Sequence, residues 1–161
     1  MAWTATEGSH VFKQLLVDFL VRTTSFVADM DADAFKAALY GNTGTPDNDV
    51  TAANSAYAVG QWVVGNEKTD ATNWVAGGRP LVTPTLNSAT ADVIFFDAVD
   101  TTGAGNVTLA AVYGCLVYDD TVTAPVADQG ICYNYFGGSQ SVTAGTFTII
   151  WHANGIWRAT L

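Results

Sequence analysis

The sequence predicts a mainly β protein: an antiparallel β-sandwich, jelly-roll or immunoglobulin-like, of about seven to eight strands, with one short N-terminal α-helix. Three observations carry that expectation. The hydrophobic period shifts from helical to alternating from Phe26 onward. Apolar, Thr-rich runs are separated by breakers: Gly77-Gly78, Asn87-Ser88, Gly103-Ala-Gly105, Pro125 and Gly137-Gly138. A chain of 161 residues that is 49% hydrophobic and 13% charged can build its core without staples. No repeat, low-complexity tract or linker interrupts the pattern, so residues 1–161 read as a single domain.

The helix is expected over residues 9–22. Phe12, Leu15, Leu16, Phe19 and Leu20 recur at i, i+3, i+4, i+7 and i+8, a single apolar stripe. Ser9 stands where an N-cap would. The stripe exceeds what a small sandwich needs, which makes this helix a candidate docking segment: it caps one end of the sandwich within an oligomer, or inserts between subunits. Phe35–Tyr40 then reads as a strand stopped by Gly41-Asn42, followed by a polar loop from Thr43 to about Ser55. Further strands are expected in Tyr57–Glu67, Pro80–Leu86, Ala91–Asp97, Val107–Tyr118, Gly130–Phe136 and Thr146–Leu161. Asn154-Gly155 is a two-residue hairpin signal, because both positions tolerate positive φ. That hairpin would place Ala153 opposite Ile156 and Trp151 opposite Arg158.

Charge excludes some partners. Fifteen acids against six Lys and Arg give a net charge of −9, and the cations are scattered. A grip on nucleic acid or on an anionic membrane needs clustered Lys and Arg, so neither is expected. No apolar stretch approaches the ~20 residues of a membrane span. Met1 to Gly8 lack the basic start and apolar run of a secretory signal, and two cysteines do not make a disulfide scaffold. Synthesis in a cytosol is the expectation.

Several residues are of types that can carry chemistry. Asp29-Met-Asp-Ala-Asp33 starts like a calcium loop, but Ala34 and Tyr40 occupy the positions that need Gly and Glu. A solvated acidic turn is the better reading. His10 and His152, the two histidines, have no companions at metal-ligand spacing, and no nucleophile elbow accompanies them. Gly77-Gly78 and Gly137-Gly138 lie between strands rather than before helices, so they read as turns and not phosphate cradles. Cys115 and Cys132 would face each other if their strands formed a hairpin closed around Thr123-Ala124, and buried thiols are favoured over a disulfide. Trp62, Trp74, Trp151 and Trp157 could line a sugar-binding face or fill core and interface. No catalytic residue, cofactor or metal is expected.

Several segments, in order, resemble the small structural proteins of tailed bacteriophages. They are Phe35-Lys-Ala-Ala-Leu-Tyr-Gly-Asn-Thr with the following Thr-Pro-Asp loop, Trp74-Val-Ala-Gly-Gly-Arg-Pro-Leu81, Phe96-Asp-Ala98 and Val112-Tyr-Gly-Cys-Leu-Val-Tyr-Asp119. Phe136-Gly-Gly138 follows, then Ser141-Val-Thr-Ala-Gly-Thr-Phe-Thr148 leading into Trp151-His-Ala-Asn-Gly155. The match runs from about Phe35 to the C-terminus. The resemblance implies a non-enzymatic virion component with a β-sandwich fold, no active site, and shared residues at turn and core positions.

The function expected is capsid decoration, on the outer face of the major capsid lattice. The protein would be made in the bacterial host cytoplasm and built into the virion as a homo-oligomer, with a trimer matching lattice three-folds. A neck or tail protein of the same virion is the alternative. A carbohydrate-binding or host-adhesion module is the alternative of another class.

Overall fold

The computed structural model of the chain describes residue 3 and residues 8–21, 28–90 and 92–160. Within these the protein is mainly β, and every strand pairing is antiparallel. In chain order the elements are β1 (His10–Val11), α1 (Lys13–Val21), β2 (Phe35–Tyr40), α2 (Ala52–Ser55), β3 (Arg79–Pro80), β4 (Val82–Thr90) and β5 (Val93–Val99). Then come β6 (Thr101–Thr102), β7 (Val107–Asp119), β8 (Gly130–Gly145), β9 (Thr148–Ile149) and β10 (Trp157–Thr160). These ten strands exceed the seven to eight expected, because four of them are two-residue pieces. They form a five-stranded sheet ordered β1-β8-β7-β2-β3, a three-stranded sheet ordered β10-β5-β4, and the pair β6-β9.

The centre is β7, whose apolar run Cys115–Tyr118 is buried between β2 and β8. A strand covered on both faces reads as a continuous hydrophobic run, and β2 shows the same pattern, with Ala37, Ala38 and Leu39 fully buried. The rings of Phe35 and Phe96, 5.0 Å apart, join the five-stranded sheet to the three-stranded one. At the other end Trp62 packs against Tyr40, Tyr133, Phe12 and Trp3 within 6.2 Å. Tyr40 also donates its hydroxyl to Trp62 O at 2.6 Å.

Several expectations are corrected by these pairings. The helix begins at Lys13, not Ser9. His10 and Val11 are a strand opposite Tyr133 and Cys132, and the Ser9 hydroxyl accepts from Tyr135 N instead of capping a helix. Phe12 and Leu15 are fully buried in the protein's own core, while Leu16 is 46% exposed. The side chains of Phe19 and Leu20, and Arg22 at the end of the expected helix, lie outside the described residues. Of the three described side chains of the proposed docking stripe, two are therefore used by the fold itself and Leu16 lies on the surface. The expected strand Tyr57–Glu67 is two 3-10 turns, Gly60–Trp62 and Val64–Asn66. Its glycines break the extension, and turning there seats Trp62 in the core.

Asn154-Gly155 does turn, with Gly155 N donating to His152 O at 2.7 Å, but the flanking segments separate. Ile149 pairs with Thr101 in β6 and Arg158 with Phe95 in β5, so Trp151 and Arg158 are not partners. Cys115 faces Asn134 and Cys132 faces Val117, two positions from the expected register; both thiols are free and buried. Gly137-Gly138 does not end β8. Between the pairs Val112–Gln140 and Gly114–Tyr135 the glycines sit in a bulge, and β8 continues.

A close approach governs the Trp74–Leu81 segment. Gly78 has φ +77°, and a Cβ there would stand 2.1 Å from Ala37 O. Gly77 N donates to Glu67 Oε1 at 3.0 Å, and Gly77 O accepts from the Tyr118 hydroxyl at 2.7 Å. Gly137 has the same φ of +77° with nothing within 4 Å of the position its Cβ would take. The pair therefore separates backbone strain from collision. We expect Gly137→Ala to cost about 1 kcal/mol, and Gly78→Ala to cost more than about 3 kcal/mol or prevent folding; thermal unfolding of the two variants measures the difference.

Candidate functional site

β8 has 16 residues, and its outer neighbour β1 covers only Cys132 and Tyr133. Among the described residues no strand lies on the outer side of residues 134–145. What faces them is the segment Thr146–Trp151, held in place from behind: Trp151 N donates to Asp100 Oδ1 at 2.9 Å and its indole N–H to Thr101 Oγ1 at 3.2 Å. The space between is a groove of about 700 Å³, within the usual size of a ligand site. A second hollow of about 350 Å³ shares Ser9, Asn134 and Ile156 with it and runs on between β1 and β10.

The lining of the groove includes four aromatic residues, Tyr135, Phe136, Phe147 and Trp151. It also carries neutral hydrogen-bonding groups, among them Asn134, Gln140, Ser141, Thr146 and Thr148. Ile150, at 77% exposure the most exposed of the large apolar side chains among the described residues, stands on the rim. Among the described residues no Asp, Glu, Lys or Arg lines the main groove, although the chain carries 21 such residues. Its one titratable imidazole, His152, accepts at Nδ1 from Asn154 N at 3.1 Å. Three half-buried rings and one buried one, among neutral donors and acceptors, can bind and orient an uncharged ligand.

The other residues singled out from sequence serve the fold. Asp29–Asp33 is a self-bonded turn in which Asp31 N donates to Asp29 Oδ1 and Asp29 N to Asp33 Oδ2. Asp31 Oδ1 also accepts from Leu86 N, which closes part of the β4 edge. Among the described residues no cluster of three His, Cys, Asp or Glu could hold a metal. His10 packs on the Tyr133 ring at 5.8 Å. Burial pushes the Cys132 thiol up to about 12 and Cys115 well above its ordinary value, so neither is a nucleophile at neutral pH. Trp62, Trp74 and Trp151 are buried, and Trp157 is half-covered on the Phe96 ring. The sugar platform drawn from these four therefore does not form. The groove was missed in the sequence; its one local trace is the long uncharged run of β8.

Two buried carboxyls outside the groove carry unusual electrostatics. Glu67 accepts from the Tyr57 hydroxyl at 2.8 Å and from Gly77 N, and burial raises its pKa. Asp119 Oδ1 accepts from Thr121 N and Val122 N, while Oδ2 is buried with no donor, beside the Asp33 carboxyl. Burial chiefly, and then Asp33, push Asp119 up to about 6. Below that value Asp119 holds a proton itself, and its own O–H takes the place of the donor that Oδ2 lacks.

The sign follows directly. A raised carboxyl pKa contributes stability that is present at low pH and is lost as pH rises through about 6. Asp119→Asn keeps the Oδ1 acceptor and removes the ionisation. We expect it to stabilise the protein at pH 8 by about 1–2 kcal/mol and to flatten the stability profile between pH 4 and pH 7, read by urea unfolding across that range.

With fold and groove described, comparison adds no relative: no protein-family model, no curated protein and no solved structure matches the chain.

Proposed function

We propose that the protein is a non-enzymatic structural component of a tailed-bacteriophage virion, placed on the outer face of the capsid lattice as a decoration protein. What supports the reading is the use to which the fold puts the residues that carry the resemblance. Trp74 is fully buried, Gly78 lies against the β2 backbone, and Tyr118 closes on Gly77. Phe96 packs on Phe35 between two sheets. These are turn and core positions, as the resemblance implies for a family without an active site.

On this reading the five- and three-stranded sheets are the two layers of a sandwich, with the Phe35–Phe96 contact between them. Net charge of −9 suits an exterior position away from packaged DNA. Exposed Leu16 and the adjacent Val17 on α1, and the groove along β8, are the surfaces offered to the lattice or to sister copies. A homo-oligomer, such as a trimer on lattice three-folds, accords with closed symmetry. A neck or tail position is the second location this chemistry allows.

Quantitative mass spectrometry of purified virions against the major capsid protein tests the proposal. A simple lattice fraction, such as one to one or one to three, is expected. A few copies per particle would move the protein to the neck or tail, and absence from the particle would overturn the virion reading.

A further inference from the structure

We propose that the groove along the outer edge of β8 is a strand-acceptor site. Its ligand is an extended segment of another protein, uncharged where it lies in the groove, which adds antiparallel to β8. The inference goes beyond the virion reading and stands or falls separately from it.

The two long outer edges of this molecule are treated differently. β4 is protected against strand addition: Pro84 removes a donor, bulges interrupt its register on either side of Thr85–Asn87, and Leu86 N is already bonded to Asp31. β8 beyond Tyr133 carries no proline and no charge. Its Gly137-Gly138 bulge, and a second irregularity at Ala144, which takes φ +49° and turns its N–H to Thr108 Oγ1 at 3.1 Å, bound the edge without covering it. Tyr135 N is taken by the Ser9 hydroxyl; between the two irregularities, Gln140, Ser141 and Val142 border the groove, and among the described residues no strand lies beside them. An open edge needs backbone partners, which a peptide supplies and an apolar ligand does not.

The lining sets the chemistry of the occupant. With no carboxylate, ammonium or guanidinium lining the main groove among the described residues, a charged side chain inside it would be desolvated without a partner. The occupant's inward side chains are therefore apolar and spaced every second residue, to meet Phe136, Phe147 and Ile150. Basic residues belong on its flanks, because the chain as a whole is strongly acidic. The same net charge opposes a second copy as occupant. A glycan is disfavoured because the lining offers few free aromatic faces: Tyr135 is stacked on Trp3 at 5.9 Å and Trp151 is buried.

The probe is a fluorescent, lysine-flanked peptide of alternating valine and threonine, followed by anisotropy with the full chain. Saturable binding is expected. N-methylation of alternate residues along one peptide edge is expected to abolish it, and methylation along the other edge to leave it intact. Ile150→Asp, at an exposed rim position that folding tolerates, is expected to weaken binding about tenfold or more, with Leu16→Asp as the neutral control. Any of four results overturns the proposal: no binding to the folded chain; binding indifferent to N-methylation; displacement by a neutral oligosaccharide; or self-association that Ile150→Asp abolishes, which would make a second copy the occupant. Presence in or absence from virions leaves this result unchanged.

Discussion

The antiparallel pairing of β7 with β8 is the interaction on which the other parts of the molecule rest. β7 brings the buried run Cys115–Tyr118 to the middle of the five-stranded sheet, with β2 on its other side. β8 carries Tyr133 into the aromatic cluster around Trp62 and then runs on past the strand that should flank it. The core and the groove are thus two stretches of one ladder. Where β8 is covered on both sides its side chains are buried, and where β1 stops they are half-exposed. The bulges within the ladder let two long strands twist without losing each other.

Around that ladder, several polar side chains hold turns. Glu67 holds the turn at Gly77, Asp70 accepts from Thr72 N, Asn73 N and Thr108 N, and Asp119 holds the bend after β7. Each carboxylate accepts from backbone N–H groups that the sheet leaves unpaired. An acidic composition in this fold therefore serves loop geometry first and surface charge second. The ion pairs, Lys13–Asp49 and Lys36–Asp120, lie at exposed and half-exposed positions, where such pairs contribute about 1 kcal/mol or less.

The strands β2, β5 and β7 were legible in the sequence because burial on both faces or alternation leaves a local trace. The buried thiols were legible for the same reason. Gly137-Gly138 was misread as a stop, since a glycine pair at a turn and one in a bulge have the same composition, and only the partner strand distinguishes them. The Asn154-Gly155 turn forms, but which strands its arms join depends on β5 and β6, about fifty residues earlier in the chain. Tyr57–Glu67 failed because its apolar residues alternate while its glycines and the demand of Trp62 for the core bend the backbone. The groove could not be read at all, because it exists only through the absence of a neighbour along one side of β8.

The closure of β4 by Asp31 has a consequence for how these molecules can behave when crowded. A β-protein with two open long edges is bivalent: each molecule accepts a strand on one side and offers one on the other, and chains of indefinite length follow. With β4 stopped by a side chain, a proline and two bulges, pairing along the long edges is monovalent. A strand laid on β8 ends the series instead of extending it. Stoichiometry along those edges is thereby limited by the molecule itself rather than by the supply of partners.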